Sequence, residues 1–261
     1  MAGKKASAKK APAKKAPAKK APAKAKGPAA FENLGHGDYR STVVSLGAKR
    51  GNEKVTVLHL HGARKPTGYE LFGRLVDGLK ASDKLAGKAI SVPWENPRAE
   101  AELEAAVRNA EDKSLVITGH AAACNLIYRL AREHPSKFRA AAVLNARFDP
   151  RERVPVPTLF VRGEHSSAGD VEVEAHVMAK EGPRKVVYYP VAHADHSLRR
   201  RTPDTMGRLS SEAKLRLARS PETVKLNREI GRAIASFVVE GKAPVEVTRA
   251  RAQMANARQT R

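Results

Sequence analysis

In a sheet of parallel strands, reactive groups gather outside the carboxyl ends of the strands, so the strand-end turns of this 261-residue sequence are where chemistry would sit. Gly119-His120-Ala121-Ala122-Ala123 is such a turn. It follows the β-type run Ser114-Leu-Val-Ile-Thr118 and precedes a helical stretch from Cys124. Small residues at 119 and 123 let strand and helix approach closely on either side of the tip. The tip is Ala121, and a methyl group cannot attack. Cys124, the single cysteine, lies three residues beyond the tip, where its thiol points away from it; a buried structural thiol is expected. One cysteine also excludes an intrachain disulfide and a cysteine-based zinc cluster. Among nine histidines, His193 and His196 flank Asp195 in the sole close His/Asp/Glu spacing, too sparse a set to predict a metal, and no cofactor is expected. His59 lies inside a β-type run and is expected to be a hydrogen-bonded core residue. His61, His120 and His196 either serve loop backbone or line a binding site.

The elements that would position these residues alternate. Val55–Leu60 reads as a strand, followed by a helix over 69–79 with Leu71, Leu75 and Leu79 on one stripe. Strand 89–94 and helix 98–110 come next, then strand 114–118, helix 124–133, strand 140–144 and strand 156–161. A short helix over 171–180, strand 186–189 and a closing helix over 223–239 complete the pattern. Alternation of this kind implies right-handed βαβ crossovers and a mostly parallel, doubly wound α/β sheet in three layers. Residues 31–52 are expected to add one or two antiparallel edge strands, and 199–220 to form a mobile basic excursion. Three regions follow: a tail over 1–30, an α/β domain over 31–240 and a basic extension over 241–261.

From about Val55 to Val239 this order resembles the α/β-hydrolase superfamily, whose Gly-x-Ser-x-Gly elbow corresponds to residues 119–123. The resemblance implies a triad ordered nucleophile, acid, histidine. Pro157-Thr-Leu-Phe-Val-Arg-Gly-Glu-His165 is similar to the family's acid-bearing strand, but the acid's place is Ser166; Asp170 and Asp149 are the alternatives. Val191-Ala-His-Ala-Asp-His-Ser-Leu198 matches the histidine turn, with His196 better aligned than His193. His61-Gly62 and Ala122 correspond to the oxyanion-hole segments. With no nucleophile at Ala121 and no certain acid, the resemblance implies a pseudoenzyme, because a triad without its nucleophile keeps only residual binding effects.

The charge points elsewhere. Lys+Arg number 49 against 27 Asp+Glu, for a net charge of +22. Ten units belong to Lys4, Lys5, Lys9, Lys10, Lys14, Lys15, Lys19, Lys20, Lys24 and Lys26, which leaves +12 on residues 31–261. The tail repeats Lys-Lys-Ala-Pro-Ala with a period of five. Prolines at 12, 17 and 22, mutual repulsion and the absence of large apolar side chains predict an extended, disordered segment. Lys-Ala-Pro repeats resemble the tails of linker histones and histone-like nucleoid proteins. Flexible lysines release counterions from phosphates, so the expected partner is nucleic acid, DNA ahead of RNA, bound without sequence readout. Arg199, Arg200 and Arg201 are expected to extend that surface.

No apolar run reaches the length of a membrane span, and lysine occupies the place of a signal peptide's apolar region, so an intracellular protein is expected: nucleoid-associated, cytoplasmic, or nuclear in a eukaryote. Two other readings stand beside the nucleic-acid-binding pseudoenzyme. One is a serine hydrolase acting on an ester or acyl substrate, either inactivated by replacement at Ala121 or active through another group. The other is a module whose tail engages acidic proteins or the polyanionic surface of a storage granule or ribosome.

Overall fold

The computed structural model describes residues 31–32, 34, 41–47, 53–61, 66–95, 97–146, 154–166, 186–205 and 207–242. The tail, the helix expected over 171–180 and residues 243–261 of the C-terminal extension lie outside the described residues, as do Gly62, Asp149 and Asp170.

Seven strands form one sheet in the order β1-β3-β2-β4-β5-β6-β7. They are β1 (Thr42–Gly47), β2 (Glu53–His61), β3 (Leu85–Pro93), β4 (Leu115–His120), β5 (Phe138–Leu144), β6 (Thr158–His165) and β7 (Val186–Asp195). Every pairing is parallel except β1 with β3, which is the antiparallel edge expected from residues 31–52. The predicted doubly wound, mostly parallel sheet is therefore the observed one. Central strands covered on both faces need continuous apolar runs, and β2 is buried from Val55 to His61.

Helices α1 (Pro66–Ser82) and α5 (Pro221–Glu240) cover one face; α2 (Pro97–Arg108) and α3 (Ala123–Glu133) cover the other. Each face has its own apolar cluster: Leu75, Leu79, Val57, Val116 and Ile230 on the first, Leu103, Ile127, Leu58, Ile117 and Phe138 on the second. Full burial of each such large side chain contributes about 1.5–3 kcal/mol. The stop and start signals of α5 are local. Ser220 caps it by accepting from the Thr223 N–H, Pro221 opens its first turn, and Gly241 at φ 63° ends it with a hydrogen bond to the Phe237 carbonyl. Helices α1 and α5 touch backbone to backbone. A Cβ on Gly78 would lie 2.1 Å from the Arg228 carbonyl oxygen, and one on Gly231 2.2 Å from that of Leu75.

The segment 199–220 is not the loose excursion that its composition suggested. It holds a 3-10 turn at Pro203–Thr205 and α4 (Ser211–Ala218), whose N-cap Ser210 accepts from the Ala213 N–H. The sequence pattern concealed it because Leu215 is exposed and only Ala218 of α4 is buried, so no apolar stripe marks the helix.

The winding places the site. From β2 the chain passes through α1 to β3 on one side, and from β3 through α2 back to β4 on the other side of β2. Connections leaving β2 and β4 in opposite directions open a crevice at their carboxyl ends. Those ends are His61 and the turn after His120.

Candidate functional site

The turn from β4 into α3 is sharp because one residue adopts a left-handed backbone. Ala121 has φ 53°, a conformation a Cβ disfavours. Its N–H donates to the Leu144 carbonyl of β5 at 2.9 Å, and its own carbonyl accepts from the Cys124 N–H at 3.0 Å. The small neighbours are required: a Cβ on Gly119 would lie 3.1–3.2 Å from Ile127 Cδ1, Ala123 Cβ and the Leu60 carbonyl oxygen. The backbone is thus an elbow built to present residue 121, and residue 121 presents a methyl group. Ala122 is exposed beside it.

Cys124 does not substitute for a nucleophile. It is fully buried, its thiol donates to the Gly119 carbonyl at 3.3 Å, and burial pushes its pKa up to about 12 against a smaller opposing hydrogen bond from Leu144. The structural role expected for it is the observed one.

The histidine turn after β7 comes back to the elbow. His196 lies with its ring centroid 5.2 Å from that of His120, and the His120 Nε2 is 2.6 Å from the His196 carbonyl oxygen. A carbonyl only accepts, so His120 carries its proton on Nε2 in this contact. Asn145, at the end of β5 with φ 50°, donates from Nδ2 to the carbonyls of Asp195 (3.2 Å) and His196 (2.8 Å), while its Oδ1 accepts from the Gly163 N–H at 2.7 Å. One buried amide thereby ties β5, β6 and the histidine turn together. Sequence reading passed over Asn145; its signal was an asparagine directly after an apolar strand, a residue type that tolerates the left-handed region.

Of the three acid positions, Ser166 is the described one. Its Oγ lies 3.1 Å from His196 Nδ1, where a triad's carboxylate would be. A hydroxyl fixes the ring's orientation but carries no charge to stabilise an imidazolium. Asp195 is turned away from this role. It is 6% exposed and accepts from the backbone N–H groups of Ser197 and Arg199, from Arg199 Nε at 2.8 Å and from Arg201 at 3.5 Å. The spacing His193, Asp195, His196 therefore does not converge on one point.

The same contacts give Arg199, Arg200 and Arg201 internal tasks. Arg199 and Arg201 hold Asp195, Arg200 donates to the Ala192 carbonyl, and Arg201 also donates to that of Gly207. The run that looked like a phosphate-contacting surface clamps the histidine turn.

His59, expected to be a hydrogen-bonded core residue, is buried without a hydrogen-bond partner on either ring nitrogen among the described residues. Its ring stacks on Phe72, with centroids 5.7 Å apart. In register it sits between Ser91 of β3 and Thr118 of β4, both buried with unpartnered hydroxyls. Burial, with repulsion from His61 and His120, lowers its pKa to about 3, so it is neutral at pH 7. His61 closes β2 as a buried residue whose carbonyl accepts from the Trp94 N–H at 3.3 Å.

A parallel sheet with an antiparallel leading strand, a left-handed elbow after β4 and a histidine turn after the last strand define the architecture. It is α/β-hydrolase-like. No family model and no curated protein matches the chain. Similar solved structures include an esterase domain from Rhodothermus marinus, 12% identical over 76% of this chain and 99% of that one, with a TM-score of 0.47. An α/β serine hydrolase homologue from Coxiella burnetii is 16% identical over 60% and 83%, with a TM-score of 0.45. A predicted CIB-like hydrolase from Thermoplasma acidophilum is 9% identical over 77% and 93%, with a TM-score of 0.49. No helix among the described residues is long and apolar enough to cross a membrane.

Proposed function

We propose that this chain is a non-catalytic α/β-hydrolase-like protein that binds nucleic acid, DNA ahead of RNA, through its lysine-rich tail. The observation that carries the non-catalytic half is Ala121 at the tip of the elbow, where a nucleophile would stand. A methyl group cannot act as the nucleophile, and Cys124 is protonated and buried. The binding half rests on ten lysines without an acid over residues 4–26, supported by the net charge of +22. Because Arg199, Arg200 and Arg201 are engaged internally, the phosphate contacts are assigned to the tail lysines. The folded part then serves as a scaffold or holds a ligand at the strand ends.

The test is fluorescence anisotropy of labelled duplex DNA and RNA over a salt series, with full-length protein and a version beginning at Phe31, and ester hydrolysis followed in parallel. The full chain should lose affinity with a log–log slope of up to about −9 for ten engaged lysines. Removal of the tail should make that slope shallow, and no ester should turn over. Absence of binding near physiological salt, or stronger competition by an acidic protein than by DNA, rejects the nucleic-acid assignment.

A second reading, a serine hydrolase inactivated at one position, is favoured by the elbow itself. A left-handed alanine costs free energy that a non-catalytic scaffold has no need to keep. Recovery of turnover in Ala121→Ser separates the two readings.

A further inference from the structure

Strands β6 and β7 bring three more side chains together on the exposed surface next to the histidine turn. Glu164 and His165 end β6, and His193 lies near the end of β7. Successive residues of a regular strand point to opposite faces, but the β6–β7 ladder slips register between Gly163 and His165, and a bulge re-aims side chains in this way. As a result Glu164 Oε2 lies 3.7 Å from His193 Nδ1 and 3.9 Å from His165 Nε2. One ligand atom from each of the three residues falls within 4.8 Å of the others. The carboxylate is also held from behind, since Oε2 accepts from the His193 N–H at 2.8 Å. His193 itself has φ 56°, a strained backbone for a side-chain-bearing residue.

Two imidazoles and one carboxylate are the donor set of open zinc sites, in which three protein ligands leave a fourth position for water or an exogenous group. Bonds of about 2.0–2.1 Å in a tetrahedron put ligand atoms about 3.4 Å apart. The two edges at Glu164 are within a few tenths of an ångström of that, and the exposed rings are free to close the third.

We propose that Glu164, His165 and His193 bind one divalent transition-metal ion of the zinc class, with its outer face open to solvent or an anion. The site is separate from the elbow, and its existence does not depend on whether the tail binds nucleic acid. The other cluster of ligand-type residues among the described residues, Glu104, Glu133 and His134, differs in that both carboxylates already pair with Arg129.

Zinc chloride titrated into the full chain by calorimetry in a chelator-free buffer tests this, with cobalt(II) absorption reporting the ligand field. One saturable site is expected, with affinity falling roughly tenfold or more in Glu164→Gln and in His193→Asn and unchanged in His134→Asn. Wild-type Tm should rise with zinc, since an ion bound only by the native state stabilises it; this measurement also guards against a variant that folds poorly. Two results overturn the proposal: no saturable uptake with no Tm shift, or uptake that Glu164→Gln and His193→Asn leave intact.

Discussion

Ser166 Oγ sits 3.1 Å from Nδ1 of His196, so the imidazole is held on one side by a neutral hydroxyl, while its backbone carbonyl is held by His120 and Asn145. The elbow and the hydrogen bonds that orient His196 are present, while residue 121 carries only a methyl group. This relationship fixes what restoring residues should do.

On the inactivated-hydrolase reading, Ala121→Ser should produce slow hydrolysis of p-nitrophenyl acetate, because the elbow already presents residue 121; on the non-catalytic reading no ester should turn over. Adding Ser166→Asp should raise kcat/KM by roughly 10²-fold or more, since an orienting carboxylate in such triads is worth about 10⁴ in kcat. Equal rates for the single and double variants would show that position 166 does not serve the base.

Ala121→Gly should stabilise the fold by about 0.5–1 kcal/mol, read as a higher urea midpoint at constant m. A glycine at φ 53° carries no Cβ strain. A lower midpoint would mean that the methyl group packs better than its backbone suffers.

The protein should lose stability on acidification through His59. Its unfolded pKa is near 6.5 and its folded pKa is lowered to about 3, so below pH 6.5 the unfolded chain takes up a proton that the native state refuses. The contribution is complete above about pH 6.5 and is lost as pH falls towards 3, at a slope of up to about 1.4 kcal/mol per pH unit. Urea unfolding between pH 4 and 7 should show a shallower slope in His59→Leu. An unchanged slope refutes the assignment.

Gly231→Ala should destabilise by more than about 2 kcal/mol although alanine is the better helix former. The new methyl would meet the Leu75 carbonyl at 2.2 Å and force α1 and α5 apart. Thermal unfolding reads this directly, and a neutral effect would mean that the helix pair yields at little cost.

Much of the architecture was legible because it is written in short-range periodicity. The run from Val55 to Leu60 and the leucine stripe of α1 are local statements, and each lies within an observed element. Helix α4 was missed for the same reason, since a helix with one buried residue has no stripe to read. The elbow was also local: small residues at 119 and 123 flank a tip whose chemistry follows from the identity of residue 121 alone.

What residues far apart in the chain do to one another was decided by the tertiary structure. Arginines 199, 200 and 201 look in sequence like a solvated basic patch, yet the fold turns Asp195 inward and spends two of them on it. His59 reads as a hydrogen-bonded core residue, yet register with Ser91 and Thr118 leaves it in a polar row without hydrogen-bond partners among the described residues. Glu164, His165 and His193 converge only because of a slip between two strands. Charge, composition and the missing nucleophile are properties of the chain itself, set by which atoms it contains. Hydrogen-bond partners, burial and ligand triangles depend on distances between remote segments, and those exist only once the sheet has closed around them.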